Sequence, residues 1–591
     1  MTFKGGYWGK FLDIDLTTRS IKEMELDDEF ARKYLGGVSF GNKILYDRVP
    51  AGTEPLSPEN TIMWMVGPLS GTSFHGQKMD IIFKSPLTGN LGFTKHGGGI
   101  VWELKFAGWD GVIVTGKAES PVYIYIKDGN AEIRDASRIW GKDTMATGVM
   151  IREEVRDEFA KVSCCGPAGE NMVRFAAIMG ELGKAGARSG GGAVMGSKNL
   201  KALAVRGTQT VPLANPEKYN ELATRLRKTL GLVPFPAVKR WGTCPYTTPS
   251  NNCKNYLLSC WPEVQRACSA EAQEKMFWVR DFSCPGCPSV CFRRGVIRQG
   301  PFTGRVGESS EYDTSLLGLS CGVTDLFGFL NNVGLCDKLG LDGTSTGSVI
   351  AWAMECYEKG ILTKEDLDGL ELTWGNTLAM DKLIKKIAFR EGVGDLLAEG
   401  TKKASQKIGK GSENYAMQVK GLEMSGWDPR GWPLSSSFRP GFLVGTAIGY
   451  ATASRGGDHC TDQSCIQDAV GVCVFATGGM AGVSVPEELV NLLRLATGWE
   501  DYNLEEYNIT SERLWTLRRL FNVREGMGRK DDVLPERHYT LPISYGAKKG
   551  MVVSREEFEK ELDKFYEARG WNKAGIPTKE RLKSLGLENM A

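Results

Sequence analysis

The feature that most restricts what this chain can fold into is the run Cys284-Pro-Gly-Cys287-Pro-Ser-Val-Cys291. Each of its two prolines lacks the N–H that a helix interior uses, so the segment reads as a loop. Three thiols in so short a loop suit a metal centre, because an iron–sulfur cluster takes soft thiolate ligands at several corners. Structural zinc is the competing reading, although zinc sites more often pair two C-x2-C knuckles or include histidine, and neither accompanies this run. Inert core thiols are a third. A cluster needs a fourth ligand from elsewhere in the chain.

The chain has 15 cysteines in all. The first residues break their apolar positions with Gly5, Gly6, Gly9, Lys10, Asp13 and Asp15, so a signal-peptide core is not expected. No apolar stretch reaches the roughly 18 residues that span a bilayer. These features predict a cytoplasmic protein whose cysteines are thiols or metal ligands rather than disulfides. The formal charge of +2, with no long run of like charges, gives no footprint for nucleic acid or an anionic membrane. The 73 glycines cluster where backbone must approach a ligand, which points to a cofactor enzyme.

At 591 residues the chain exceeds one ordinary core, and three domains are expected. In the first 208 residues Leu12, Ile14 and Leu16 alternate with Asp13 and Asp15, the period of a half-buried strand. Val122 to Ile126 alternates before Asp128-Gly129 and resumes near Ile133, a hairpin signal. Beyond residue 209 helical spacing takes over, as in Asn215 to Leu230 and Ser348 to Lys359, with few strands.

One motif occurs twice. Asp337-Lys-Leu-Gly340-Leu341-Asp342 and Asp468-Ala-Val-Gly471-Val472-Cys473 are both D-x-x-G followed by a branched aliphatic residue. Leu326, Phe329, Leu330 and Val333 have helical spacing, and Gly340 falls where that helix would end. Asp337 then faces the negative end of the helix dipole, unfavourable by roughly 0.3–1 kcal/mol unless a donor compensates. A pterin ring offers adjacent N–H groups, which a carboxylate can only accept, so two such turns suit two pterins. A solvated aspartate at an ordinary helix end is the plain alternative for either motif taken alone. Cys473, closing the second motif, is the natural fourth cluster ligand and would set the cluster beside one pterin.

With these motifs assembled, the chain resembles the aldehyde:ferredoxin oxidoreductase family over nearly its whole length. The resemblance is carried by Lys84-Ser-Pro-Leu-Thr-Gly89, Glu103-Leu-Lys-Phe-Ala-Gly108, Gly166-Pro-Ala-Gly-Glu-Asn171 and Gly192-Ala-Val-Met-Gly-Ser-Lys-Asn-Leu-Lys201. It continues through the cysteine run, Glu311-Tyr312, both D-x-x-G motifs, Asp428-Pro-Arg-Gly431, Tyr450-Ala-Thr452, Arg455-Gly-Gly457 and Arg519-Leu-Phe-Asn522. It implies an α+β protein: an N-terminal two-sheet β-rich domain (1–208) as the cofactor base, followed by two mainly α-helical domains (209–419 and 420–591).

The implied cofactor is a bis-pyranopterin with tungsten, or molybdenum, held by dithiolene sulfurs, a Mg²⁺ bridging the pterin phosphates, and one [4Fe–4S] cluster on Cys284, Cys287, Cys291 and Cys473. By position, phosphate and pterin contacts fall on Lys78, Lys95, Gly97, Lys184, Ala185, Ala187 and Arg188, and ring contacts on Asp337, Leu341, Asp342, Asp468 and Val472, with Arg455 nearby. Lys78 and Lys95 stand where well-known members have arginine and asparagine, which keeps donors but loses the guanidinium fork. Asn331 and Gly334 stand where some members carry an E-x-x-H metal element, so that site is not carried over. Trp432 to Leu443 is a longer insertion that can reshape the substrate channel.

The implied reaction is oxidation of a small aldehyde to the acid, with electrons leaving through the cluster to ferredoxin or a small ferredoxin-like subunit. Asp313, in the place of a family glutamate and one methylene shorter, is the candidate base; His459 is the candidate hydrogen-bond and proton donor. Tyr312 positions substrate, and Glu311 either joins the chemistry or supports its loop. His75 and His96 read as structural. A homodimer and a complex with a separate iron–sulfur subunit are both compatible with the resemblance. The runner-up is a tungsten enzyme reducing an activated acid or aromatic acyl-CoA, with Cys460 near the metal; a non-catalytic iron–sulfur carrier is the alternative from another class.

Overall fold

The computed structural model describes residues 3–230, 240–244, 252–435, 445–459, 462, 465–477, 485–546 and 548–590. Its N-terminal part is built from twelve strands: β1 (Lys10–Asp15), β2 (Ser20–Glu25), β3 (Ile62–Met65), β4 (Met79–Lys84), β5 (Leu91–His96), β6 (Gly111–Thr115), β7 (Val122–Lys127), β8 (Asn130–Asp135), β9 (Lys161–Cys165), β10 (Ile178–Met179), β11 (Ala185–Gly186) and β12 (Leu200–Arg206). They form two six-stranded sheets, ordered β2-β1-β6-β3-β4-β5 and β8-β7-β12-β9-β10-β11. The orders are equivalent strand for strand. In each sheet one pair is parallel, β1 with β6 and β7 with β12, and the other neighbours run antiparallel. The chain thus traces one path twice, a duplication that no fixed-period repeat in the sequence announces.

The alternation in β1 means what the sequence suggests: Leu12 and Ile14 are buried, and Asp13 and Asp15 are half-exposed. In β7 it means something else, because Val122 to Ile126 are all buried. Val122, Ile124 and Ile126 join the core between the sheets, while Tyr123 and Tyr125 enter a second core with Ile139 and Ile151. A strand covered on both faces alternates between two interiors rather than between core and water. Trp64, fully buried in the first core, reaches across with Nε1 3.4 Å from Ser163 Oγ. Truncating such a side chain to alanine typically costs roughly 3–5 kcal/mol.

Beyond the sheets the chain is largely helical, with the helices Pro216–Leu230 and Gly343–Glu358 close to their expected spans. Pro216–Leu230 packs on Pro486–Thr497 and shares their core. Strands are few here, as expected, but three of them frame the cysteine run. Strands β13 (Trp278–Phe282), β14 (Phe292–Val296) and β15 (Val306–Ser309) form an antiparallel sheet, and the cysteine run is the connection from β13 to β14. Those strands alternate poorly because β13 is mostly exposed, so no hydrophobic period marked them. Among the described residues no helix is long and apolar enough to cross a membrane.

Candidate active site

The two D-x-x-G motifs are equivalent turns. Helix Leu326–Leu339 ends at Gly340, whose φ of 75° is left-handed; Gly340 N–H donates to Asp337 O and Leu341 N–H to Cys336 O. Gly471 has φ 83°, its N–H donates to Asp468 O, and Val472 N–H donates to Gln467 O. Closing a helix this way satisfies carbonyls at its end and suits glycine. The second helix, Cys465–Ala469, has five residues, so the dipole argument belongs to Asp337 alone.

Each turn docks on one sheet by the same backbone exchange. Leu341 bridges Ala176, with Ala177 N–H donating to Gly340 O and Asp342 N–H to Phe175 O. Val472 bridges Gln77, with Lys78 N–H donating to Gly471 O and Cys473 N–H to Gly76 O. The equivalence extends into the sheets: Lys95 pairs with Asp80, three residues after Gln77 (80 − 77), and Ala185 pairs with Met179, three after Ala176 (179 − 176). Lys95 and Ala185 are therefore counterparts, as are Gly97 and Ala187 two residues on. Leu341 and Val472 dock through backbone, and both side chains are buried in hydrophobic cores, which suits an aliphatic residue after each glycine.

The side chains break this symmetry. Lys95 Nζ lies 2.6 Å from Asp468 Oδ2, so two residues expected at the cofactor meet each other. Among the described residues Asp337 has no donor on its carboxylate, and it opens onto a cavity. Its pKa is held well above the usual carboxylate range by burial first, then by Glu308 and Asp313. Asp342 caps helix Gly343–Glu358 and accepts from Ser345 Oγ at 2.8 Å and from the Arg188 guanidinium at 3.4 Å. Arg188 also reaches Gly457 O at 3.1 Å and adopts φ 76°, a left-handed conformation costly for a non-glycine residue.

Two adjoining cavities, of about 220 and 230 Å³, lie between the turns and share Lys78, Ala185, Ala187, Tyr312, Thr344 and Cys473. Such concave space at a junction of elements is where cofactors sit. The first carries Lys95, Asp468, Arg188 and Arg455; the second carries Lys184, Asp337, Leu341 and Asp342. Cys284, Cys287, Cys291 and Cys473 all line the second. A Cβ on Gly97 would lie 3.0 Å from Cys284 Sγ and 3.2 Å from Lys78 Nζ, so a larger residue here requires those side chains to give way. Burial alone would lower the Lys78 pKa, but Cys473, Cys284, Cys291 and Asp468 outweigh it and raise it. Burial, with Cys473 next, pushes the Cys287 thiol up to about 12. Lys184 stacks 3.4 Å over Phe292 at the loop's exit.

Glu311, Tyr312 and Asp313 form one turn capped by Ser310, whose N–H and hydroxyl donate to Asp313 Oδ2 at 3.1 and 2.8 Å. Burial raises the Asp313 pKa to about 6 against the Ser310 hydrogen bonds, and Asp342 adds to the rise. Glu311 is buried and rises to about 7 for the same leading reason, with Thr243 bonding to it. His459 Nδ1 lies 3.0 Å from Ser425 Oγ, with the rings of Trp427 and Tyr450 each 5.5 Å away. Burial lowers its pKa to about 4 despite Asp458, so near neutral pH the imidazole is neutral and still offers an N–H as a hydrogen-bond donor. Arg455 pairs with Asp458 at 2.5 Å and donates to Phe93 O at 2.9 Å.

Cys460 and positions 436–443 of the insertion lie outside the described residues. His96 is buried and neutral, its pKa lowered to about 3 by burial first and then by Lys78 and Lys184. Asn331, in place of a metal-binding glutamate, donates to Asp381 at 2.9 Å. Sequence reading missed Glu308, Thr344, Ser425, Asp458 and Phe475, which also line the cavities or hold their walls. Glu308 had one signal: it stands three residues before Glu311, in a segment that otherwise lacks charge between Val306 and Ser310.

A family model described as "Aldehyde ferredoxin oxidoreductase, N-terminal domain" matches residues 11–207, and one described as "Aldehyde ferredoxin oxidoreductase, domains 2 & 3" matches residues 238–587. The tungsten-containing aldehyde ferredoxin oxidoreductase of Pyrococcus furiosus is 38% identical over 98% of this chain and 99% of its own. The same organism's aliphatic sulfonate oxidoreductase, WOR-like subunit, is 32% identical over 98% of this chain and 97% of its own. Among solved structures, a chain of the active-site complex of benzoyl coenzyme A reductase with 1,5-dienoyl-CoA superposes with a TM-score of 0.82 at 28% identity, covering 99% of this chain and 98% of that one.

Proposed function

The chain belongs to the aldehyde ferredoxin oxidoreductase family, and from that premise we propose that it oxidises an aldehyde to the carboxylic acid at a tungsten–pterin centre seated between the twin D-x-x-G turns. Electrons leave through a [4Fe–4S] cluster on Cys284, Cys287, Cys291 and Cys473 to ferredoxin or a ferredoxin-like subunit. The single observation that carries this reading is the lining of one cavity by all four of those thiols together with Asp337 and Asp342. Among the described residues no group of three or more His, Cys, Asp or Glu side chains could hold a single metal ion, whereas four thiols spread around a cavity suit the corners of a larger cluster.

The residues present fit such a cofactor. Asp337, which has no donor among the described residues, would accept from a pterin ring N–H; Lys78, Lys184 and Arg188 would supply cationic donors for its phosphates, with which a Mg²⁺ would associate. When bound, the metal supplies the two-electron redox couple and the site of oxygen transfer. The protein supplies orientation and proton handling. Asp313, with Oδ2 held by Ser310, takes a proton from water or hydrated aldehyde. His459, fixed by Ser425, donates a hydrogen bond to an oxygen, and Tyr312 at the junction of the cavities positions the substrate.

Similarity to the benzoyl coenzyme A reductase chain keeps thioester reduction as the second reading, but 38% identity to the aldehyde enzyme against 28% favours aldehyde oxidation. The test is an aldehyde panel with a viologen acceptor under anaerobic conditions. Aldehyde-dependent viologen reduction supports the reading; reduction of an acyl-CoA with no aldehyde activity replaces it.

A further inference from the structure

A third cavity, of about 490 Å³, lies behind the cofactor space, lined by helix Thr144–Val155, β9 and the segment 179–183. Two residues, Gly183 and Asp337, line both this outer cavity and the thiol-bearing one, so they form the wall between them. Against that wall stands Glu308, on β15. Glu308 is 4% exposed, lines the inner cavity, and neither carboxylate oxygen has a hydrogen-bond partner. A Cβ on Gly183 would lie 2.5 Å from Glu308 Oε2 and 2.8 Å from Oε1, so the carboxylate rests on backbone that only glycine leaves open. An unsatisfied buried carboxylate is costly, and one kept at a cavity wall calls for a function.

Oxidising an aldehyde with water forms a C–O bond, breaks the C–H bond, sends two electrons to the metal and on through the cluster, and releases two protons. The electrons have a route, but protons released beside Asp313 must leave a buried chamber. We propose that Glu308 relays protons, by way of water, from Asp313 across the wall made by Gly183 and Asp337 into the outer cavity, which serves as the exit to solvent. This proposal rests on the aldehyde-oxidising reading.

The charged groups facing Glu308 are Arg294 on the neighbouring strand β14, Lys184, Asp313 and Asp337. Burial raises the Glu308 pKa, with Asp313 adding, against the pull of Arg294 and Lys184. The rise favours its protonated form, and the two cations favour release of the proton, as a relay member needs. The outer cavity is polar enough to hold water: Arg152, Glu158, Lys161, Glu181 and Arg294 all face it.

The test uses holoenzyme in three forms: unaltered, Glu308→Gln, and Gly148→Leu. Gly148 lines only the outer cavity, where a Cβ meets only the end of Arg152, at 3.5 Å. The expected result for Glu308→Gln is a kcat lower by roughly tenfold or more with KM within about twofold, and a larger solvent deuterium isotope effect, at unchanged tungsten and iron content. Gly148→Leu should lower kcat in the same direction without touching any carboxyl. Independently of turnover, infrared difference spectra on dithionite reduction should contain a protonated-carboxyl band that Glu308→Gln removes. Wild-type kcat and isotope effect in Glu308→Gln, or no such band in the unaltered protein, overturns the relay. An unaltered protein that oxidises no aldehyde overturns the functional reading instead, and the infrared band still decides whether Glu308 titrates with the redox state.

Discussion

Lys95 Nζ lies 2.6 Å from Asp468 Oδ2, while Asp337, at the equivalent place in the other turn, has the small residue Ala185 opposite and no donor among the described residues. Two turns with the same backbone thus present different surfaces to whatever lies between them. One carboxylate is already paired within the protein, and the other waits for a donor from outside.

That difference gives an unequal mutational result. Lys95→Met takes the ion-pair partner from a carboxylate that is 1% exposed, and removing one partner of a buried pair typically costs roughly 3–5 kcal/mol. The urea midpoint of Lys95→Met should fall clearly, and Lys95→Met/Asp468→Asn should regain part of the loss. Asp337→Asn removes no protein contact, so it should leave the midpoint of the cofactor-free chain within about 0.5 kcal/mol and lower pterin retention instead.

Cys473 closes the second turn and faces the loop of the other three thiols. Cys473→Ser should reduce iron per chain and abolish or alter the electron paramagnetic resonance signal of the reduced protein. Cys356→Ser, near the end of helix Gly343–Glu358 away from the residues that line the thiol cavity, should leave both unchanged. Equal signals in the two variants would remove Cys473 from the ligand set.

Gly97→Val tests the approach of the cysteine loop. A first side-chain carbon there would already sit 3.0 Å from Cys284 Sγ, so the loop must shift. Iron retention should fall while the far-ultraviolet dichroism, set by sheets and helices elsewhere, stays the same. Full iron content in this variant would show that the contact is slack.

The pH dependence has a defined sign. The Asp313 pKa is raised to about 6, so its basic form accumulates above that pH and is lost below it. kcat/KM should rise with pH through about 6 and then level, and Asp313→Asn should lose that limb along with roughly 10²-fold or more of the rate. His459 stays neutral above about 4, so it should add no second limb between pH 5 and 8. His459→Gln, which keeps an N–H donor, should retain more activity than His459→Phe.

Much of this arrangement was legible in the residues. The prolines between Cys284 and Cys291 predicted a loop, and Gly340 marked a helix end because a left-handed turn there excludes most other residues. The duplication of the sheets was not legible, because β4 and β10 share geometry without sharing side chains: Lys78 and Ala177 make the same backbone bond. Strand β13 was missed because exposed strands such as Trp278–Phe282 have no hydrophobic period to read. Pairing of Lys95 with Asp468 depends on positions 373 residues apart (468 − 95), and charge alone does not say which lysine meets which carboxylate.

The central claim is that one chain carries both a metal–pterin centre and a thiolate-bound cluster. The most direct measurement is elemental analysis of anaerobically purified protein. About one tungsten or molybdenum and about four irons per chain are expected. Iron without tungsten or molybdenum, or zinc in place of iron, would contradict the account.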